Sequence, residues 1–137
     1  MKRSYKEEYQ YWLDSPALGE EEWKELSAIA DDDKEIESRF YAPLEFGTAG
    51  LRGIMATGLN RMNIHVIRWA TQAFAAVIKA EGDEACRKGV VVCYDCRLNS
   101  EKFAREAAGV MAANGIRVRI FDALRPTPEL SFAVLHY

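Results

Sequence analysis

The segment Glu45-Phe46-Gly47-Thr48-Ala49-Gly50-Leu51-Arg52-Gly53 concentrates the groups best suited to hold an oxyanion. Gly47, Gly50 and Gly53 allow backbone conformations closed to other residues and let a ligand approach the main chain. Backbone amides, the Thr48 hydroxyl and the Arg52 guanidinium all donate hydrogen bonds, and the planar fork of an arginine can bind one phosphate or carboxylate with two parallel bonds. No Gly-Lys-Ser/Thr follows, so the segment is not a P-loop, and its glycine spacing is not the dinucleotide fingerprint. The competing reading is a tight hairpin whose Arg52 pairs with an acidic surface residue.

Four other groups carry weaker signals. Asp95 and Arg97 fall just after a β-branched run, at the carboxyl end of a predicted strand, where open α/β sheets keep functional groups. Two residues apart, they are also placed to satisfy each other as an ion pair that holds the turn and caps the next helix, which is the favoured reading. Cys93 and Cys96 form a Cys-x-x-Cys, but Asp95 between them disfavours a thiolate and no second pair completes a zinc site. His65 and His136 lack a nucleophile or carboxylate in a recognisable order and read as ordinary helix residues. Trp12 and Trp23 read as packing residues, and Lys34 to Arg39 as a solvated charged face.

These groups need elements to position them. Apolar residues at spacings of three and four predict two or three short amphipathic helices over residues 5–40, with Pro16 in the first turn of the second and a last one over Lys34 to Phe40. Strand, glycine loop and strand follow over Leu44 to Gly58. Asn63 caps a long helix whose stripe is Ile64, Ile67, Ala70, Phe74, Val77 and Ile78, ending near Gly82. Gly89 to Tyr94 is a strand of the kind covered on both faces, Asn99-Ser100 opens a second long helix that stops at Asn114-Gly115, Ile116 to Phe121 is a strand, and Pro126-Thr127-Pro128 starts a final helix. Alternating strands and helices predict an α/β fold, a three-layer α/β/α sandwich on a mostly parallel, mixed sheet. A helical extension (1–43) precedes the domain (44–137).

Composition bounds the function. Of 137 residues, 49% are hydrophobic and 28% charged, the profile of a chain that folds, and the formal net charge of −3 offers no footprint for a polyanion. Nucleic acid is excluded as an expected partner. No apolar run is long enough for a membrane-spanning helix and the first residues lack a signal-peptide core, so the expected location is the cytoplasm. Three cysteines are an odd count with no disulfide framework, and reduced thiols are expected.

Phe46 to Gly53, followed by Gly58-Leu59-Asn60-Arg61-Met62-Asn63, resembles the opening motif of the α-D-phosphohexomutase superfamily, in its phosphoglucomutase and phosphopentomutase branch. Cys93-Tyr94-Asp95-Cys96-Arg97 resembles the Gly-x-Asp-x-Arg segment of the family, with Cys93 where glycine is frequent, and Pro126-Thr127-Pro128 resembles its Thr-Pro element. The resemblance runs from about Glu35 to Tyr137 and implies the first domain of an enzyme that moves a phosphoryl group between a serine and a sugar monophosphate, through a bisphosphorylated sugar. It implies Arg52 as a charge stabiliser beside the phosphoserine, Thr48 as an orienting donor, and Gly47, Gly50 and Gly53 as the phosphate-facing loop. Mg²⁺ is implied for the full-length enzyme, with its aspartates in later domains and no metal held by residues 1–137.

The string Thr-Ala-Ser-His-Asn-Pro, in which the family carries its phosphoserine, is absent, so the expectation is a domain truncated before that loop and inactive alone. A truncated sheet would leave an edge uncovered, which predicts self-association through that edge or partial disorder after Pro128. The alternatives are a stand-alone phosphosugar-binding module without catalysis and a redox protein with a labile Cys93 to Cys96 disulfide.

Overall fold

Ser4 opens the first helix with a reciprocal cap: its hydroxyl accepts from the Glu7 amide, and the Glu7 carboxylate accepts from the Ser4 amide. The computed structural model describes residues 3–48 and 50–137. They form two compact units, Met1–Val66 and Ile67–Tyr137.

The first unit begins with three helices, α1 (Tyr5–Leu13), α2 (Glu20–Ser27) and α3 (Asp33–Phe40). Pro16 lies in the turn between α1 and α2, not in a helix, because Gly19 takes the N-cap position and the Glu22 carboxylate accepts its amide at 2.9 Å. The helices bury Tyr9, Leu26, Ile36 and Phe40, with Trp12, Leu13, Leu18 and Leu59 packed around them. Trp12 meets the Phe40 ring edge-on at 5.7 Å, as expected of a packing residue, whereas Trp23 is half exposed. A two-rung antiparallel hairpin follows, β1 (Phe46–Gly47) with β2 (Gly50–Leu51). A loop then leads to α4 (Ile64–Ala80), which Asn63 caps by accepting the Val66 amide at 3.0 Å.

In the second unit α5 (Asp83–Lys88) precedes β3 (Val90–Val92), α6 (Ser100–Ala113), β4 (Val118–Ile120) and α7 (Thr127–His136). β3 and β4 pair in parallel with α6 as the crossover, the βαβ unit expected. α6 packs on β4 and α7 on β3. The core gathers Ala75, Met111 and Ile116, flanked by Ile78, Cys86, Val90 and Val118.

The architecture is therefore α/β, with two separate two-stranded sheets among the described residues, one antiparallel and one parallel. β3 is half buried along its length instead of covered on both faces. On α4 the expected stripe is only partly the packed one: Ala75 and Ile78 face the core, while Phe74 and Val77 are 55% and 59% exposed. Apolar residues surround almost the whole of this helix, so the periodicity identifies the helix without selecting its buried side. Among the described residues no helix is long and apolar enough to cross a membrane.

Candidate functional site

The expected site residues Gly47, Thr48, Gly50, Arg52 and Gly53 sit on one hairpin of the first unit, in register Phe46 to Leu51 and Gly47 to Gly50. Ala49 of the turn lies outside the described residues. The three glycines differ in what demands them. Gly50 has φ +104, the region that favours glycine, and a Cβ there would meet open space. Gly53 lies so close to Leu44 that a Cβ would stand 3.0 Å from both Leu44 methyl carbons. At Gly47 neither conformation nor crowding requires glycine, since a Cβ would make an ordinary 3.5 Å contact. The rung of two glycines leaves bare main chain beside the exposed Thr48 and Arg52.

Arg52 has no hydrogen-bond or ion-pair partner among the described residues and is exposed. Continuing the ladder by one rung sets Glu45 opposite it, yet the two form no ion pair. The competing expectation of a hairpin with a paired arginine is thus met in its hairpin and not in its pairing.

A second set of residues, not singled out as a site from sequence, fixes the loop that follows the hairpin. Thr57 is 3% exposed, and its hydroxyl and amide both donate to the Glu25 carboxylate. Arg39 donates to Glu25, to Glu35 at 2.8 Å and to the Thr57 carbonyl at 3.0 Å. Arg61, 5% exposed, donates to Ser38 Oγ at 2.9 Å, to the Ser38 carbonyl and to Glu35. The face from Lys34 to Arg39 is therefore not simply solvated: the Arg39 side chain is 11% exposed because it lies between two carboxylates and a loop. The i, i+4 spacing of Glu35 and Arg39 is the one local signal that could have pointed to it.

Burial pushes the Glu25 carboxyl up, but the Thr57 hydroxyl and amide and the Arg39 guanidinium outweigh it and hold it below the usual carboxylate range. The Arg39 guanidinium holds Glu35 down in the same direction against a smaller effect of burial. Folded values below the ordinary 4.5 mean that this stabilisation is complete above that value and lost as pH falls through the folded values. The melting temperature of the first unit should accordingly be flat at neutral pH and fall as pH drops below the ordinary carboxylate value of 4.5. Glu25→Gln should flatten part of that fall in a calorimetric pH series, and an identical slope would count against the assignment.

In the second unit Asp95 and Arg97 form the expected local pair: the Asp95 carboxylate accepts the Arg97 amide at 3.1 Å and its Nε at 2.8 Å. The Arg97 amide and then the Ser100 hydroxyl and Arg97 side chain hold the Asp95 carboxyl down, against slight burial. The capping half of that expectation fails. Asn99, at φ 62, takes the N-cap position of α6 without a side-chain bond, and Ser100 Oγ instead accepts the Asp95 amide at 3.1 Å.

Cys86, Cys93 and Cys96 are free thiols. Burial first, and then the Asp95 charge, push the Cys93 thiol up, which leaves it protonated and a poor nucleophile. His65 faces the Glu22 carboxylate at 3.1 Å and the Trp12 ring edge-on at 5.5 Å, and His136 stacks on Phe132. Among the described residues no three His, Cys, Asp or Glu side chains converge.

Residues 43–137 match the family model described as phosphoglucomutase/phosphomannomutase, alpha/beta/alpha domain I. The chain belongs to the phosphoglucomutase/phosphomannomutase family. Within it, the chain is 38% identical over 134 residues to a phosphopentomutase of Homo sapiens, covering 91% of this chain and 22% of that protein. It is also 38% identical over 104 residues to a phosphoglucomutase of Staphylococcus saprophyticus, covering 76% of this chain and 18% of that enzyme. The phosphopentomutase of Mus musculus is 35% identical over 133 residues, covering 91% of this chain and 21% of that protein. The chain thus spans about a fifth of the length of these relatives. No solved structure matches.

Proposed function

We propose that this chain is the first domain of a sugar-phosphate mutase, and that its hairpin turns Arg52 and Thr48 towards a phosphoryl group in transit between a serine and a sugar. The observation that carries the reading is an exposed guanidinium with no partner among the described residues, beside main chain bared by Gly47 and Gly50. An arginine without a partner among the described residues is available to an external anion, and its planar fork can hold a phosphate with two parallel hydrogen bonds.

In that reaction the phosphoserine passes its phosphoryl group to a sugar monophosphate, the bisphosphate turns round, and the other phosphate returns to the serine. Little covalent work falls to the surrounding protein, so positioning and charge stabilisation dominate. Arg52 would disperse charge on the equatorial oxygens, Thr48 would orient one of them by hydrogen bonding, and the amides of Gly47, Gly50 and Gly53 would approach closely because no side chains intervene. Asp95 and Arg97 hold the turn after β3 and are assigned a structural role, without touching the substrate. The phosphoserine, and ligands for the Mg²⁺ that would neutralise the transferring charge, are not assigned to any of these 137 residues. The names of the relatives divide between pentose and glucose, and the hexose, exchanging 1- and 6-phosphate, is our preference. We further assign residues 44–137 to a three-layer α/β/α domain with 1–43 as its helical extension, in a cytoplasmic enzyme. The unpaired edges of the short sheets favour self-association of the isolated chain.

The test is titration of the 137-residue chain with inorganic phosphate and with glucose 1-phosphate, followed by amide and arginine Nε–H shifts. Binding in the millimolar range centred on residues 47–53 is expected, with a loss of about tenfold or more in Arg52→Ala, the size of a charged hydrogen-bonded pair. Shifts centred elsewhere and indifferent to Arg52 would overturn the reading. Isomerisation of glucose 1-phosphate by the pure chain would overturn the division of the site between this domain and the rest, and Arg52-dependent binding by a parent protein without turnover would leave a binding module.

A further inference from the structure

A hairpin of two rungs cannot fix its own direction. Both of its roots are tied to the loop 57–62. On the entry side the Leu44 amide donates to the Leu59 carbonyl at 3.2 Å, and Gly53 packs on Leu44. On the exit side the Met62 amide donates to the Ile54 carbonyl at 2.8 Å, and Met55 bridges to Met62. The loop is in turn bolted to α2 and α3. The Asn60 amide donates to the Arg39 carbonyl at 2.7 Å, Arg39 reaches the Thr57 carbonyl, and Glu25 takes the Thr57 hydroxyl, the Thr57 amide and Arg39 together. Gly58, at φ +141, lies so close that a Cβ would stand 3.0 Å from Arg39 Cβ.

We infer that Glu25, Arg39 and Thr57 are positioning residues for Arg52: the N-terminal helices aim the phosphate-facing arginine through this loop. The inference rests on the function proposed above. None of the three is placed against the substrate; each acts by holding the roots of the hairpin. Hydroxyl and carboxylate form a contact of nearly fixed length, so its loss lets the loop shift and the guanidinium swing, while the helical core that folds the unit remains.

Thr57→Val removes the hydroxyl at nearly constant shape and Thr57→Ser keeps it. Tyr9→Phe deletes an unrelated bond of the same unit, from the Tyr9 hydroxyl to the Leu26 carbonyl at 2.9 Å. Inorganic phosphate affinity and melting temperature are measured for each in the 137-residue chain. Thr57→Val should weaken phosphate binding about fivefold or more with native amide dispersion, Thr57→Ser should restore it to within about twofold, and Tyr9→Phe should lower the melting temperature without changing affinity. A Thr57→Val chain that loses stability but binds phosphate as tightly as the unmodified protein would overturn the inference; should that variant fail to fold, Glu25→Gln takes its place under the same criteria. If the unmodified chain shows no Arg52-dependent phosphate binding, the proposed function fails on its own, and ¹⁵N relaxation of residues 46–53 decides the positioning role: loosening in Thr57→Val supports it and unchanged order parameters refute it.

Discussion

Replacing Gly89 with alanine is expected to dismantle the second unit. Gly89 ends α5 and feeds β3 with φ 77 and ψ −156, a combination essentially reserved for glycine, which a side chain enters at a cost of about 1–3 kcal/mol. A Cβ would also stand 2.0 Å from the Arg117 carbonyl oxygen, the atom that accepts the Val90 amide at 2.8 Å. The obstacle is main chain on both sides, so no rotamer change relieves it; the β3–β4 ladder would have to part at its first rung. Together the two effects should reach about 3–5 kcal/mol, comparable to the whole stability of a small domain. Amide spectra of Gly89→Ala should show collapse of cross-peaks from 90–120, and a melt within a few degrees of the unmodified chain would refute the assignment. Gly82→Ala is the comparison: φ is also positive, at 97, but a Cβ there meets nothing within 4 Å, so only the conformational part applies.

Leu26→Ala should have the largest effect in the first unit. Leu26 is completely buried, at 0% exposure, among Tyr9, Ile36 and Phe40, side chains contributed by α1 and α3 that cannot all close over the gap. Removing it forfeits the transfer free energy of the lost carbons and leaves a cavity, about 2–5 kcal/mol in total. For a unit of this size that corresponds to a melting temperature lowered by roughly 10–25 °C. Trp23→Ala, three positions earlier on the same helix but half exposed, should change stability by less than about 1 kcal/mol despite the larger side chain. Equal losses from the two variants would mean that α2 does not pack as described.

Comparison of expectation with structure separates local from distant interactions. Asn63 as a helix cap, Asn99-Ser100 as a start, Asn114-Gly115 as a stop and the glycine hairpin were legible because each is decided by a few consecutive residues. The same holds for the Asp95 and Arg97 pair, two residues apart. α5 was missed since its six residues, set between Gly82 and Gly89, hold too few turns for a period to show. The ties among Glu25, Arg39 and Thr57 were illegible for the opposite reason: they join residues 14 to 32 positions apart, and nothing in the type or spacing of Glu25 distinguishes it from its acidic neighbours. In the candidate hairpin, the turn was readable from its glycines, whereas that Arg52 has no partner among the described residues shows only in three dimensions.

The contrast between the hairpin and its foundation bears on how such a protein can change over generations. Thr48 and Phe46 project into solvent from the hairpin, while Thr57 and Arg61 lie almost wholly covered in a closed set of bonds. Exchange of an exposed side chain such as Thr48 or Phe46 breaks no bond of the foundation, whereas exchange of Thr57 or Arg61 breaks several. Selection can therefore alter the exposed residues of the turn one at a time without re-inventing the scaffold beneath it.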